Sequence, residues 1–273
     1  MIKRIAIVRI ESIHPGSNDW TAALSWCRQH AAATLMIAGD MTAPLVPLTR
    51  HEAAFDGPMV LGVAASFSGF SMPAISVAST RADVVDALLR RFDESDAILA
   101  IEADQPVPTW CGELAWSTDP WLVAECVRDS EAEAATEIVT DASELAAFYE
   151  EVGSTYWCPA MLAFGHSYVV RDERRSILSA GSVQFVIDAY GDSYAHIGAL
   201  ATSVSARGRS AATLVLRALR AGLVRAGVRS CGVLADAGTS WLPNFYERRG
   251  FSRRGAFRFA TLEASSWPEL CHG

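Results

Sequence analysis

Long uncharged apolar segments are missing from this sequence. No run of about 18 apolar residues is free of charge, so we expect no membrane span. The first residues, Met1-Ile2-Lys3-Arg4, lead into a short apolar stretch that contains charges, which does not fit a signal peptide. These two absences predict a cytoplasmic protein.

The cysteine pattern also lacks the spacing of a metal site. None of the six cysteines forms a C-x-x-C pair or has a nearby histidine that completes a zinc pattern. We therefore expect no metal and a set of reduced, mostly buried thiols. The cysteines are Cys27, Cys111, Cys126, Cys158, Cys231 and Cys271.

Basic residues are outnumbered by acidic ones. The 273 residues include 23 Lys and Arg against 31 Asp and Glu, which gives a net charge of −8 and predicts no bulk attraction to nucleic acid or to an anionic membrane. The acidic balance suits a cationic amine as a ligand. An apolar content of 51% is enough for a sizeable core, and the length suits two compact domains.

The hydrophobic pattern of the first half alternates strands with helices. Gly and Pro in residues 105–112 indicate a loop, and residues 119–127 fit a helix or a strand. The predicted elements are a strand at Ile5–Ile10, a long helix capped by Asp19 over residues 20–40 with Gly39 near its end, strands at 58–67 and 74–80 joined by a Ser/Gly turn, a helix from Ala82, and a strand at Ala97–Asp104.

The second half repeats this order of strand, turn, strand, helix and strand. We place the domain boundary near residues 125–135, giving a domain at 1–130 and another at 131–273. The fold class is α/β, with two tandem modules. The predicted elements are a helix from Asp141 to Gly153, strands at 167–173, Ile177–Ala189 and Ala195–Val204, a turn at Gly191-Asp192, a helix that starts near Ser210, a strand at Ser230–Asp236, a short helix at 240–250 and a strand at 256–263.

Two arginines and a glycine stand where the long helix of the second half begins. The first N–H groups of a helix have no internal partner, and they act with the helix dipole on an anion. Arg207 and Arg209 add charge, Gly208 lets the backbone come close, and Ser210 can cap the helix. The residues fit a phosphate site, and they also fit a solvated helix start. Arg217, Arg220 and Arg225 lie away from the apolar stripe and are expected to be solvated.

The segment from Arg207 to Ala212 resembles the R/Q-x-x-G-x-G/A motif of the GNAT N-acetyltransferase superfamily. Residues 244–251, NFYERRGF, are similar to that superfamily's L-Y-x-x-x-G-F ending. The resemblance covers about residues 140–262 and implies a mixed, mostly antiparallel sheet flanked by helices. Ser210 stands in place of the family's first required glycine, and Thr239 stands in place of a family asparagine.

The resemblance implies an acetyl-CoA-dependent N-acetyltransferase. It assigns acetyl-CoA binding to ten residues and the role of general acid to Tyr246, whose hydroxyl stays protonated at neutral pH. Acetyl-CoA would be a co-substrate, and the acceptor would be the primary amine of a small molecule or a peptide. The binding residues are Leu200, Ala201, Thr202, Arg207, Gly208, Arg209, Ser210, Ala211, Ala212 and Thr239.

Several residues near these motifs admit two interpretations. His196 is a candidate base or a packed histidine, and a water relayed to Glu150 or Glu151 is an alternative base. Tyr156 and Trp157 either border the acceptor or fill the core, and Cys158 has no nearby group that activates a thiolate. Two other functions stay open, a CoA-binding module without turnover and an acyl transferase that uses a different donor.

The two halves differ where strand meets helix. The first half has ASTRADVVD at this junction, with Asp83 in the first helical turn and no glycine. An aspartate at that position suits capping and repels a diphosphate. We therefore expect the first half to be a degenerate GNAT-like scaffold and the chain to bind one CoA.

Overall fold

The computed structural model describes residues 8–92, 96–189 and 192–263, which build one 12-stranded sheet. The order of its strands is β1-β2-β3-β4-β5-β12-β6-β11-β10-β9-β8-β7. The strands are β1 (Arg9–Ser12), β2 (Thr49–Asp56), β3 (Met59–Phe67), β4 (Ala74–Ser79), β5 (Ala97–Glu102), β6 (Ser117–Glu125), β7 (Glu137–Ile138), β8 (Ser167–Arg171), β9 (Ile177–Ala189), β10 (Asp192–Thr202), β11 (Ser230–Leu234) and β12 (Ser252–Leu262).

Helices cover both faces of this sheet. The α-helices are α1 (Asn18–Gln29), α2 (Leu35–Asp40), α3 (Ala82–Leu89), α4 (Ser130–Ala134), α5 (Ala142–Glu151), α6 (Ala211–Arg225) and α7 (Leu242–Glu247). Short 3-10 helices lie at Val46–Leu48, Thr109–Glu113, Pro159–Phe164 and Val204–Ala206. Within the described residues, no helix is long and apolar enough to cross a membrane.

Each half of the chain builds the same run of strands. In the first half β1 to β4 pair antiparallel, and α3 then crosses over to β5, which pairs parallel with β4. In the second half β7 to β10 pair antiparallel, and α6 crosses over to β11, parallel to β10. The duplication predicted from element order is therefore present in the backbone.

The last strand of each half pairs with the other half. β6 follows β5 in the chain, yet it pairs with β11 and β12. β12 ends the described chain and pairs with β5 of the first half. The two halves thus exchange their final strands, and this exchange makes the sheet continuous.

The long helix α6 packs on one face of the second half. Its buried residues include Val215 and Leu219, which contact the sheet at Gly181. A β-carbon at Gly181 would lie 2.9 Å from Val215 Cγ1 and 3.0 Å from Leu219 Cδ1, so only glycine allows this close packing. The opposite face buries a cluster that joins both halves, including Leu35 and Phe67 with Trp121 and Tyr149.

The N-terminal segment differs most from the sequence prediction. The single long helix is two helices, because the chain turns at residues 30–34 between α1 and α2. Ser17, not Asp19, caps α1, since its hydroxyl accepts the N–H of Trp20. The strand predicted at Ile5–Ile10 is β1, which begins at Arg9, and residues 1–7 lie outside the described chain. The strand β2 was missed.

The other elements follow the predicted order. Residues 117–125 resolve the choice between helix and strand, because they form β6. Gly191 of the predicted turn and Cys271 lie outside the described residues. The five described cysteines are unpaired, and of these only Cys126 is partly exposed.

The three arginines on α6 that were expected to be solvated are partly or fully exposed, as predicted, and each also makes hydrogen bonds to a neighbouring element. Arg217 pairs with Asp129, Arg220 donates to the carbonyls of Glu125 and Arg249, and Arg225 donates to the hydroxyl of Tyr168. These bonds tie α6 to neighbouring elements.

Candidate active site

The parallel strands β10 and β11 separate in the middle of the second half. Their register pairs end at His196 and Gly232, although β10 continues to Thr202 and β11 to Leu234. A wedge therefore opens between the carboxyl ends of the two strands. Ligands of open α/β sheets bind outside the carboxyl ends of the strands, where neighbouring connections diverge.

A bulge in β10 lies beside this wedge. The pairing with β9 shifts between Gly198 and Ala201, and Ala199 has a φ of 50° in the left-handed region. Leu200 packs towards the α6 face, while Ala201 resumes pairing with Ala180. The bulge takes Ala199 and Leu200 out of the ladder.

The three residues that the resemblance assigns to the pantetheine arm lie at this end of β10. The carbonyl of Ala201 already accepts the hydroxyl of Ser179, and the Thr202 hydroxyl lies 3.0 Å from the same hydroxyl. Leu200, Ala201 and Thr202 thus lie where β10 parts from β11.

The loop between β10 and α6 exposes a row of backbone donors. Gly208 and Ser210 both have positive φ values, 77° and 63°, which turn the chain sharply into the helix. Within the described residues, no acceptor pairs with the N–H groups of Gly208, Ser210, Ala211, Ala212 or Thr213. The side chains of Arg207 and Arg209 are exposed in the same loop. The loop therefore combines unpaired donors with two positive charges.

The serine of this loop does not cap the helix with its side chain. Ser210 occupies the N-cap position, but its left-handed backbone carries the hydroxyl away and no capping bond forms. Its carbonyl still accepts the N–H of Leu214. The prediction that Ser210 caps α6 is wrong, and the first-turn donors stay free as a result.

A third arginine near the loop was missed from the sequence. Arg249 donates through Nε (3.0 Å) and Nη2 (2.6 Å) to Thr213 Oγ1 in the first turn of α6. Its guanidinium lies 3.7 Å from the ring centroid of Phe245, and burial lowers its pKa. Arg249 therefore adds positive charge at the α6 N-terminus from a distant part of the chain. Its position within the family-like segment at residues 244–251 was the sequence signal that could have pointed to it.

Tyr246 lies on α7 in the core cluster that α6 covers. It is 5% exposed and packs against Phe245 and Phe251. Burial raises the pKa of its phenol, against a smaller opposite effect of Arg249, so the hydroxyl is protonated across the neutral range. The Tyr246 hydroxyl therefore carries the proton that a general acid must donate.

Thr239 lies in a turn that follows β11. Its hydroxyl donates to Asp236 Oδ2 at 2.9 Å, and Gly238 N donates to Asp236 Oδ1 at 2.8 Å. These bonds fix the turn after β11. The turn lies on the far side of the wedge from the Arg207 loop.

Two carboxylates missed from the sequence meet at this end of the sheet. Asp119 on β6 accepts the N–H of Ala237 at 3.0 Å, one residue from Asp236. Burial and then the charge of Asp236 raise the pKa of Asp119. Since these aspartates lie in different halves of the chain, only the exchange of β6 brings them together.

Tyr156 lies beside this acidic pair. It is 55% exposed, and its ring meets Phe70 edge-on at 5.9 Å. Burial of the hydroxyl end, followed by the charges of both aspartates, raises the pKa of its phenol. Of the two aromatic residues considered from the sequence, Trp157 is buried and stacks on Tyr149, so it fills the core. Cys158 is also buried, and burial raises its pKa.

A polar cleft of about 470 Å³ borders the end of β10 on the α5 side. Ser203 and Ser205 form one wall, and Glu144 and Glu151 of α5 form another. Glu151, one of the two relay candidates, therefore lines this cleft together with Ser203 and Ser205. The cleft connects the start of the Arg207 loop with α5.

His196 is packed inside the molecule. Its ring stacks on Phe185, its Nδ1 lies 3.1 Å from the hydroxyl of Tyr194, and it is 2% exposed. Burial lowers its pKa to about 3, so it is neutral at physiological pH. The packed interpretation of this histidine holds.

The corresponding wedge of the first half is closed. Pairing of β4 with β5 ends at Ser76 and Ala100, but the side chain of Gln105 accepts the N–H of Ser79 at 2.9 Å. Asp83 in the first turn of α3 is bonded to Arg81 Nε at 3.0 Å, and this bond lowers the pKa of Asp83. In the first half the Gln105 side chain thus bonds the end of β4, and the Arg81–Asp83 pair places a carboxylate at the start of α3.

Comparison with known proteins gives matches among solved structures alone. No family model and no curated protein matches the sequence. A GCN5-related N-acetyltransferase from Sphaerobacter thermophilus is 12% identical, with 94% of this chain and 96% of that chain covered and a TM-score of 0.60. A tandem GNAT protein from the clavulanic acid biosynthesis pathway is 14% identical over 96% and 99% of the two chains, with a TM-score of 0.55.

The chain has the GNAT fold. A third match is a glucosamine N-acetyltransferase region in a fungal multi-domain β-N-acetylglucosaminidase, 13% identical, with a TM-score of 0.59. That match covers 94% of this chain and 38% of the fungal chain. The GNAT fold and its tandem arrangement, both predicted from sequence, are confirmed. Among the described residues no group of His, Cys, Asp and Glu is placed to hold a metal ion.

Proposed function

We propose that the second half of the chain is an acetyl-CoA-dependent N-acetyltransferase acting on a primary amine. One observation carries the proposal, namely the opening between β10 and β11 next to a loop with five unpaired N–H groups and two exposed arginines. A helix start of this kind favours an anion such as a diphosphate. The similar solved structures share the fold and support acyl transfer in general.

The donor would be held at two places. Arg207 and Arg209, with the N–H groups of residues 208 and 210–212, would bind the diphosphate through charge-assisted hydrogen bonds. The end of β10 at Leu200, Ala201 and Thr202 would hold the pantetheine arm along its backbone. Thr239, on the opposite side of the wedge, is the remaining proposed contact. Arg249 donates to Thr213 in the first turn of α6. From there its charge would attract the diphosphate without a direct hydrogen bond.

The reaction joins the amine nitrogen to the thioester carbonyl carbon. As the C–N bond forms, charge develops on the carbonyl oxygen, which backbone N–H groups freed by the bulge in β10 would stabilise. The C–S bond then breaks, and the leaving thiolate takes a proton from Tyr246. The protonated, buried phenol of Tyr246 supports this role.

The acceptor amine would approach from the side of Asp119 and Asp236. It must lose a proton to attack, and a carboxylate whose pKa is raised is a better base than an ordinary aspartate. We propose that Asp119 accepts this proton, directly or through water, and that Asp236 attracts the ammonium form. Tyr156, which is exposed beside both, would form the wall of the acceptor site. A small molecule or a peptide N-terminus fits these requirements.

The domain division is part of this proposal. We place the boundary at residue 130, with a scaffold at 1–130 and the catalytic domain at 131–273. Because β6 belongs to the first segment and pairs with β11, the scaffold would contribute Asp119 to the acceptor side.

A CoA-binding module without turnover is the second candidate. The left-handed Ser210 and the deep burial of Tyr246 are the observations that favour it. Such a module would bind acetyl-CoA and release no thiol.

A thiol-release assay with a panel of amines separates these two functions. Purified protein is incubated with acetyl-CoA and each amine, and free CoA is measured with a thiol reagent. Amine-dependent release, with the acetylated amine identified by mass spectrometry, supports the transferase. Binding of acetyl-CoA without release over a broad panel of polyamines, amino sugars, amino acids and peptides would support the binder.

A further inference from the structure

Two cysteines from different halves of the chain are diagonal neighbours on adjacent strands of the sheet. Cys231 on β11 pairs in register with Ala124 of β6, and Cys126 is two residues beyond Ala124. Since side chains alternate along a strand, Cys126 and Cys231 point to the same face. The N–H of Cys126 also donates to the carbonyl of Arg229 at 2.8 Å, which keeps the two strands together at this point.

The surroundings of Cys126 favour its thiolate. The neighbouring thiol of Cys231 and the nearby charge of Arg220 lower the pKa of Cys126, against the opposite effect of burial. Arg220 is fixed in place because it donates to the carbonyls of Glu125 and Arg249. Thiolate character, partial exposure and a neighbouring second thiol are the properties of oxidant-sensitive cysteines.

The other described cysteines lack these properties. Cys27, Cys111 and Cys158 are buried, and burial raises their pKa values, to about 12 for Cys27 and Cys111. Cys231 is also fully buried, so oxidants meet Cys126 first. The buried cysteines Cys27, Cys111 and Cys158 of the same chain therefore serve as internal controls for Cys126.

We propose that Cys126 and Cys231 form a peroxide-sensitive dithiol that links β6 of the first half to β11 of the second. The Cys126 thiolate attacks a hydroperoxide oxygen, which gives a sulfenic acid and releases hydroxide or the corresponding alkoxide. The Cys231 thiol then attacks the sulfenic sulfur, forms the S–S bond and releases water. Two electrons leave the thiols, and the peroxide receives them.

The geometry requires a small local movement for the second step. Diagonal neighbours in antiparallel strands lie about 7–8 Å apart at Cα, whereas disulfides seldom exceed about 6.8 Å. Cys126 lies one residue beyond the end of β6, where the backbone is less constrained than in the strand. A disulfide between Cys126 and Cys231 would join the end of β6 covalently to β11 and stabilise the folded chain.

Peptide mapping after peroxide treatment tests this inference. Folded protein carrying Cys271→Ser is treated with hydrogen peroxide, alkylated, digested without reductant and analysed by mass spectrometry. We expect a linked peptide pair containing Cys126 and Cys231, reversed by dithiothreitol, and a higher Tm for the linked protein. In Cys231→Ser, dimedone should trap a sulfenic acid at Cys126. In Cys158→Ser, the matched control, the linkage should form as in the parent.

Two results would overturn the inference. One is the absence of the linked pair in protein with the parent's circular dichroism and Tm. The other is modification of Cys126 by peroxide no faster than modification of Cys27, Cys111 and Cys158. The mapping of the linked pair needs only the folded Cys271→Ser protein, so its conclusion holds even where a second serine substitution prevents folding.

Discussion

The hydroxyl of Tyr194 lies 2.9 Å from Nε1 of Trp121 and accepts its hydrogen bond inside the core. Trp121 is on β6, before the proposed boundary, and Tyr194 is on β10, after it. Gly232 on β11 leaves the space for both groups, because a β-carbon there would collide with the Tyr194 hydroxyl and lie 2.9 Å from Trp121 Nε1. This bond shows how closely β6 of the first half packs against the strands of the second half.

Gly232→Ala should therefore destabilise the protein. Overpacking of a filled core costs about 1–3 kcal/mol. We expect a lower free energy of unfolding in urea, by about that amount. Gly112→Ala is the matched control, since no atom lies within 4 Å of the position of its β-carbon. Equal stabilities of the two variants would contradict this packing account.

His196 should make stability depend on pH. Its pKa is about 3 in the folded chain and about 6.5 when exposed, so between these values the unfolded state binds a proton that the folded state does not. This group therefore contributes a loss of about 1.4 kcal/mol per pH unit as pH falls below about 6.5. Urea unfolding at pH 7, 6 and 5 should show a shallower decline in His196→Asn than in wild type. Parallel declines would contradict the burial of a neutral histidine.

Replacing Tyr246 tests the proposed proton donor. A positioned general acid contributes roughly 10²–10⁴-fold to the rate. In Tyr246→Phe we expect turnover to fall at least tenfold with acetyl-CoA affinity unchanged, because only one oxygen is lost. Tyr149→Phe is a control of the same chemistry, since Tyr149 is also a buried tyrosine in the second half. Full activity of Tyr246→Phe would leave Tyr246 as a packing residue.

The role of Asp119 should appear in the pH profile of turnover. Because burial raises its pKa, the carboxylate form is lost at a higher pH than for an ordinary aspartate, and the rate should fall as pH decreases through that value. Asp119→Asn should lower turnover at least tenfold and remove this acid limb, because an amide accepts no proton from the amine. Asp104→Asn, at an exposed position after β5, is the control. An unchanged acid limb in Asp119→Asn would assign the proton to another group.

The sequence predicts the local parts of the site better than the parts that distant segments assemble. The Arg207-Gly208-Arg209 loop can be proposed from the sequence because its residues are contiguous and precede a clear apolar helix. Asp119 and Arg249 were missed because their positions depend on strand exchange and on the packing of α7 against α6. The order of strands in the sheet could not be predicted either, since no local pattern specifies that β6 pairs between β11 and β12.

The N-terminal helix shows the same limit. The apolar pattern continues from α1 through α2, so periodicity alone predicts one helix. The break between them is stabilised by the buried hydroxyl of Thr34, which donates to the carbonyl of Cys27 at 2.9 Å. A side-chain bond to the backbone of this kind competes with a continuous helix.

We expect one acetyl-CoA to bind per chain, at the wedge of the second half, and calorimetric titration of ligand-free protein measures this number. The stoichiometry should be near one. In the Arg207→Ala/Arg209→Ala double variant affinity should fall at least tenfold, because charge-assisted bonds of about 1.5–3 kcal/mol each are lost. Arg253→Ala/Arg254→Ala removes the same charge from exposed positions on β12 and should bind like wild type. A stoichiometry near two, or wild-type affinity in the Arg207→Ala/Arg209→Ala variant, would contradict the account.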